Sequence, residues 1–247
     1  MTAYPPVSIL SRYFDITAML SGQKPDITER EYAMGDRYKV IGPLYDFLAT
    51  IFSFGQIDKC KCGMHERIKP DAKVLFAGVG QGIDAIEAAS LGAQVTVVDL
   101  SDTMLTVFRK KIQGRYFINP IRIVHSDIFA FEEYDRFDMV YANFFLNVFP
   151  EHVVLRLEEH LSRLVRPGGH MVVGDFSLPA GGFTARLVQN VYWYIADIIF
   201  YIMAKNALHP VYPYQEHLKR LGLEIEEVKR FRFLFDDRYY SILARKK

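Results

Sequence analysis

Residues 74–82 read Val-Leu-Phe-Ala-Gly-Val-Gly-Gln-Gly, and an acidic residue, Asp99, closes the next apolar run, residues 95–98. A buried strand therefore runs into a turn of alternating glycines, Gly78, Gly80 and Gly82, with a helix over Ile83–Ser90 behind it. Missing β-carbons let backbone amides at a helix start approach a ligand closely. Asp99, 21 residues after Gly78, stands where a carboxylate can accept both hydroxyls of a ribose. That arrangement points to a nucleoside-bearing ligand.

A dinucleotide fingerprint would carry glycine at the sixth position of G-x-G-x-x-G, but that position is Ile83. A dehydrogenase reading survives only if the chain binds NAD. Farther on, residues 121–127 form a short apolar run ending in Asp127, and residues 137–143 form another beginning Phe137-Asp138. Residues 164–175 read as a helix end, a Pro-Gly-Gly turn and a further strand. Strands and helices alternating at roughly 25-residue steps imply βαβ units and a parallel sheet.

The G-x-G-x-G turn and these following motifs resemble the class I S-adenosylmethionine (SAM) methyltransferases. The resemblance implies a Rossmann-like α/β fold, a mainly parallel seven-stranded sheet with a helical N-terminal extension and a helical cover insertion. Two further elements, Tyr45-Asp46 with Ser53-Phe54-Gly55 and Asp175-Phe176-Ser177-x-Pro179, are similar to the ubiquinone/menaquinone C-methyltransferase family. The likeness then spans residues 38–179. It implies residues 1–70 as an N-terminal cap and 71–247 as the SAM-binding core, with a substrate cover at about 180–222. Within the core, Ser101-Asp102 and Pro150-Glu151 open helices. Residues 223–244 form two strands joined by a turn at Asp236-Asp237.

The resemblance also assigns roles. Ala77, Gly78, Gly80 and Gly82 would cradle SAM, Asp99 would hold the ribose and Leu100 would pack beside the nucleoside. Asp127 and Ile128 would hold adenine, and Asn143 would line the methionine end. The family usually has an acid two positions before the first glycine, near the SAM amino group. Here that position is Phe76, so backbone carbonyls near Ala77 and Gly78 would carry the contact. In the quinone-methylating family an Arg-Asn pair follows the fourth strand. This chain keeps Asn147 and has Leu146 in place of the arginine.

Methyl transfer is an in-line displacement from an activated sulfonium, so it needs orientation and, for a phenol, thiol or ring carbon, a base. Candidate bases are His209, His217, Tyr212, Tyr214 and His125, of which His209 is favoured by its turn Leu-His-Pro-Val-Tyr-Pro-Tyr. Tyr45 would cap the methyl group. Cys60, Cys62 and His65 have a C-x-C-x-x-H spacing, but residues two apart on a helix face apart and no fourth ligand is evident. No metal is expected, and 59–69 reads as a solvated helix.

Net charge is +1, so no strong field favours nucleic acid, while 50% of residues are hydrophobic, with 15 Tyr and 19 Phe, which suits an apolar, aromatic acceptor or simply a large core. The resemblance implies a small lipophilic or aromatic acceptor, quinol- or polyketide-like. The alternatives are a phospholipid-headgroup or small-amine N-methyltransferase, and a SAM-binding protein with a non-methylating or regulatory role. The segment 191–204 is apolar nearly all round but shorter than the roughly 20 residues of a membrane span. It reads as a buried helix, or as a lid or peripheral membrane contact. With no signal-peptide pattern at Met1–Pro6 and no disulfide framework in two cysteines, a cytoplasmic location is expected. The oligomeric state stays open.

Overall fold

The computed structural model describes residues 55–177 and 211–247, except 234 and 235. Tyr45, the segment 191–204 and His209 lie outside the described residues. Helix α1 (Gln56–Lys61) and a 3-10 turn at His65–Arg67 precede strand β1 (Lys73–Ala77). There follow α2 (Ile83–Ser90), β2 (Gln94–Asp99), α3 (Asp102–Ile112), β3 (Arg122–His125) and β4 (Phe137–Asn143). Then come α4 (Glu151–Leu164), β5 (Val165–Phe176), α5 (Tyr214–Arg220), β6 (Glu224–Phe233) and β7 (Asp236–Arg245).

The seven strands form one sheet in the order β3-β2-β1-β4-β5-β7-β6. Strands β1 to β5 pair in parallel, and β7 is antiparallel to both β5 and β6. Chain order reverses direction across the sheet at β1 and β4, and ligands of open α/β sheets bind at the carboxyl ends around such a switch. The strand sequences explain the placement. Val74–Ala77 and Val95–Val98 are buried on both sides of the sheet, as central parallel strands must be.

Alternating residues feed two cores. Val74, Phe76, Val97, Met139 and Tyr141 pack with α2 and α3 and with Met64 and Ile68. Leu75, Val140, Met171 and Ile242 pack on the opposite face with α4 and α5, through Val154, Leu157, Leu161 and Leu218. The helix starts follow local chemistry: Ser101 Oγ accepts from the Met104 amide at the head of α3, and Pro150 precedes α4.

Three sequence expectations change. Phe233 pairs with Asp236, so Asp236 and Asp237 open β7 instead of forming the turn before it. The Pro-Gly-Gly stretch lies inside β5 as a bulge, because Val165 pairs with Phe137 and His170 with Met139. The region 59–69 is not a solvated helix: α1 ends at Lys61, and Cys60, Met64 and His65 are buried against the sheet and α2. No helix among the described residues is long and apolar enough to cross a membrane.

Candidate functional site

The glycine turn closes β1 by local hydrogen bonds, the Gly78 amide donating to Val98 O at 2.8 Å and the Gly82 amide to Val79 O at 2.7 Å. Gly78 and Gly82 both adopt left-handed backbone, φ 77° and 68°. A β-carbon on Gly78 would lie 2.8 Å from the Phe145 ring, and one on Gly82 2.2 Å from the Phe108 ring. Gly80 differs. It is exposed, and a β-carbon there would meet only the Lys61 ammonium at 3.8 Å. The turn is thus packed from below and open above, a cradle that a nucleoside with a charged methionine tail fits.

Asp99 is already oriented toward this turn. Its Oδ2 accepts from the Val79 amide at 2.6 Å and its Oδ1 from the Ser101 amide at 2.7 Å. Those two amides fix the carboxylate at the mouth of the turn, at the end of β2, where a ribose acceptor is expected. Leu100 is 43% exposed beside it, an apolar surface with room for a ring. Its carbonyl is bonded to His125 Nε2 at 2.9 Å, which occupies one nitrogen of that candidate base. Asp127 Oδ1 accepts from the Phe129 amide and caps the 3-10 turn Ile128–Ala130, while Ile128 is buried in the core below.

At the end of β4, Asn143 Nδ2 donates to Lys61 O at 3.0 Å and to Asp84 Oδ2 at 2.9 Å. Its Oδ1 is buried with no hydrogen-bond partner among the described residues. Asp84, 6% exposed in the first turn of α2, is a buried carboxylate that the sequence reading missed. Nothing in its local sequence marks it, because only the approach of β4 to α2 brings Asn143 to it. Phe76 gives the complementary observation. Its ring stacks on Tyr141 at 4.8 Å and 17°, fully inside the core, so β1 supplies no carboxylate at this end.

The next stretch builds an aromatic wall. Phe144 has φ 50°, a left-handed conformation that costs a non-glycine residue about 1–3 kcal/mol. Its amide donates to Gly174 O at 2.7 Å, which holds the strained turn to β5. The Phe144 ring then meets Phe176 edge-on at 5.3 Å, and Phe176 meets Tyr239 at 5.1 Å. On the other face of β5, as the alternation of side chains along a strand requires, Asn147 Nδ2 donates to Asp175 Oδ1 at 3.1 Å and Tyr214 Oη donates to Asp175 Oδ2 at 2.8 Å. Asp175 is 1% exposed, and burial pushes its carboxyl up to about 7 despite those donors and the Phe176 amide. Asn147 Oδ1 has no partner among the described residues.

Structure therefore brings Asn147, Asp175 and Tyr214 together. His217 meets the Tyr214 ring edge-on at 6.4 Å, but its Nδ1 is directed to Glu158 Oε2 at 2.9 Å, a pair buried between α5 and α4. Burial pushes Glu158 up to about 8 and His217 down, which favours a neutral pair. Tyr212 Oη donates to Phe149 O. Leu146, in the arginine's place, is fully buried in the α4-side core.

Fold and glycine turn together define a class I methyltransferase that uses SAM, and residues 74–169 match the methyltransferase domain family. More particularly, the chain is similar to a demethylmenaquinone methyltransferase of Clavibacter sepedonicus, 27% identical over 189 residues covering 74% of each protein. A ubiquinone/menaquinone biosynthesis C-methyltransferase of Geotalea daltonii is 24% identical over 196 residues, 76% of this chain and 81% of that protein. In fold it is similar to the Burkholderia thailandensis 1,6-didemethyltoxoflavin-N1-methyltransferase, solved with 1,6-didemethyltoxoflavin and S-adenosylhomocysteine. That likeness has a TM-score of 0.63 at 19% identity, covering 91% of this chain and 92% of the other.

Proposed function

We propose that this enzyme methylates a small apolar or aromatic acceptor, such as a reduced quinone ring, held at the carboxyl ends of β4 and β5. The observation that carries the reading is the wall of Phe144, Phe176 and Tyr239 at the ends of β4, β5 and β7, with the buried carboxyl of Asp175 one residue before Phe176 on β5. Flat rings are held by such edge and face contacts. The two relatives named for quinone methylation support the same acceptor class.

SAM, when bound, supplies a methyl group already activated on a sulfonium. Gly78, Gly80 and Gly82 hold it by backbone, Asp99 grips its ribose, and Leu100, Asp127 and Ile128 enclose the adenine. Ala77 and Asn143 line the methionine end. Asp84 provides there the negative charge that Phe76 withholds. For a phenolic or ring-carbon acceptor the proton goes to Asp175, whose carboxyl near 7 suits proton exchange at neutral pH. Asn147 and Tyr214 position that carboxylate.

The test is transfer of label from methyl-tritiated SAM to a panel of reduced naphthoquinols, benzoquinols, catechols and amines. Label in the quinols or catechols, lost in Asp175→Asn with SAM affinity unchanged, is the expected result. Label only in amines would overturn the acceptor class and Asp175's role together.

A further inference from the structure

We infer that Cys62, His65 and Glu87 form a binding site for a divalent transition-metal ion of the zinc type, which ties the segment before β1 to helix α2. The ligand atoms of these three side chains all lie within 4.8 Å of one another. They come from two places. Cys62 and His65 flank the turn that follows α1, and Glu87 projects from α2 one turn beyond Asp84.

Sequence spacing conceals the set. C-x-C-x-x-H suggests Cys60 as a ligand, but the Cys60 thiol faces the sheet and donates to Tyr240 O at 3.1 Å. Helix α1 stops at Lys61, so Cys62 and His65 escape helical geometry and can converge across the turn. Glu87 replaces Cys60 as the third ligand, and no sequence pattern links position 87 to position 62.

His65 supplies the independent observation. It is 4% exposed, and neither ring nitrogen has a hydrogen-bond partner among the described residues. A buried imidazole with both nitrogens unsatisfied costs free energy that a bound ligand would recover. Its Nδ1 stands 3.4 Å from Glu87 Oε1, poorly aligned for a hydrogen bond. That separation matches the edge of a tetrahedral site with metal–nitrogen and metal–oxygen bonds of about 2.0–2.2 Å. The ring is held on its other sides by edge contacts to Tyr141 at 5.7 Å and Phe76 at 6.5 Å. Phe76, the residue that displaces the usual acid, thus helps fix the imidazole.

A soft thiolate, an imidazole and a carboxylate form a borderline donor set that suits zinc and cobalt over magnesium or calcium. Binding would release the Cys62 thiol proton to solvent, and the two anionic ligands would then balance the ion's charge. Half of Glu87 is exposed, so solvent water can take the fourth position. The site involves none of the groups proposed to act on the acceptor, so it stands or falls independently of the methylation reading.

The experiment titrates the untagged, metal-free full-length chain with Co(II) and follows absorption, then displaces the cobalt with Zn(II). Expected are saturation at one equivalent, a thiolate-to-cobalt charge-transfer band in the near ultraviolet, and d–d bands of four-coordinate cobalt. Cys62→Ser should abolish the charge-transfer band, and Glu87→Gln should weaken binding by at least the roughly 10- to 100-fold that even outer partners of a metal cost. Cys60→Ala should retain the band. Circular dichroism establishes that each variant is folded, and Glu87→Gln, at an exposed position, keeps the test open should Cys62→Ser unfold. No saturable binding in the parent chain, a band that survives Cys62→Ser, or unchanged affinity in Glu87→Gln would each overturn the site.

Discussion

At the residue scale, the most exacting position is Gly82. Its φ of 68° and the Phe108 ring 2.2 Å from any added β-carbon combine two penalties. Phe108 is wholly buried, so the ring has nowhere to go. Gly82→Ala should lose about 1–3 kcal/mol or more in urea unfolding, and wild-type stability would show that the turn relaxes cheaply. Asp99 is a different kind of residue. Its two hydrogen bonds to Val79 and Ser101 orient it, and the carboxylate charge strengthens whatever else it accepts. Hydrogen bonds to charged groups contribute about 1.5–3 kcal/mol, so Asp99→Ala should weaken SAM binding by about tenfold or more in titration calorimetry. An unchanged dissociation constant would remove Asp99 from the site.

At the scale of elements, the junction of β4 and β5 does most to shape the acceptor side. Asn143 pairs with Gly174, Phe144 turns sharply, and Asp175 and Phe176 follow on the neighbouring strand. One strained residue sends successive side chains to different tasks: Asn143 toward Asp84, Phe144 toward the wall, Asn147 toward Asp175. The Asp175 carboxyl has a sign that stability can report. Its affinity for a proton is raised from 3.8 unfolded to about 7 folded. Between those values the folded state holds a proton that the unfolded state does not, so stability falls as pH rises through that window. Asp175→Asn should flatten the fall between about pH 4 and 7 in denaturant titrations. A slope equal to wild type would mean the carboxyl is not protonated in the fold.

At the scale of the whole molecule, two apolar layers clamp a sheet whose central strands are buried over Val74–Ala77 and Val95–Val98. Leu161 is fully buried in the layer formed by α4, and Leu161→Ala should cost about 2–5 kcal/mol, read from the urea midpoint. The same layer hides the Glu158–His217 pair. Removing one member of a buried polar pair leaves the other unsatisfied, so His217→Leu should destabilise more than Glu158→Gln, which keeps a hydrogen-bonding amide. Equal losses would show that packing, not the pair, dominates there. Neither change should alter SAM affinity, because both residues lie on the α4–α5 side, away from the glycine turn.

Local chemistry in the chain determined the elements. The glycine turn, the acid ending β2, the Ser101 cap and the alternation of strands and helices were legible because each depends on residues close together in sequence. The boundaries Ile83–Ser90 and Phe137–Asn143 agree with the structure for that reason. Only tertiary structure decided which polar groups meet. Asp84 with Asn143, Asp175 with Tyr214, and His65 with Glu87 join positions 59, 39 and 22 residues apart, carried together by packing of helices on the sheet. Sequence periodicity reports which face of an element is apolar; it carries no record of what the opposite element presents to that face.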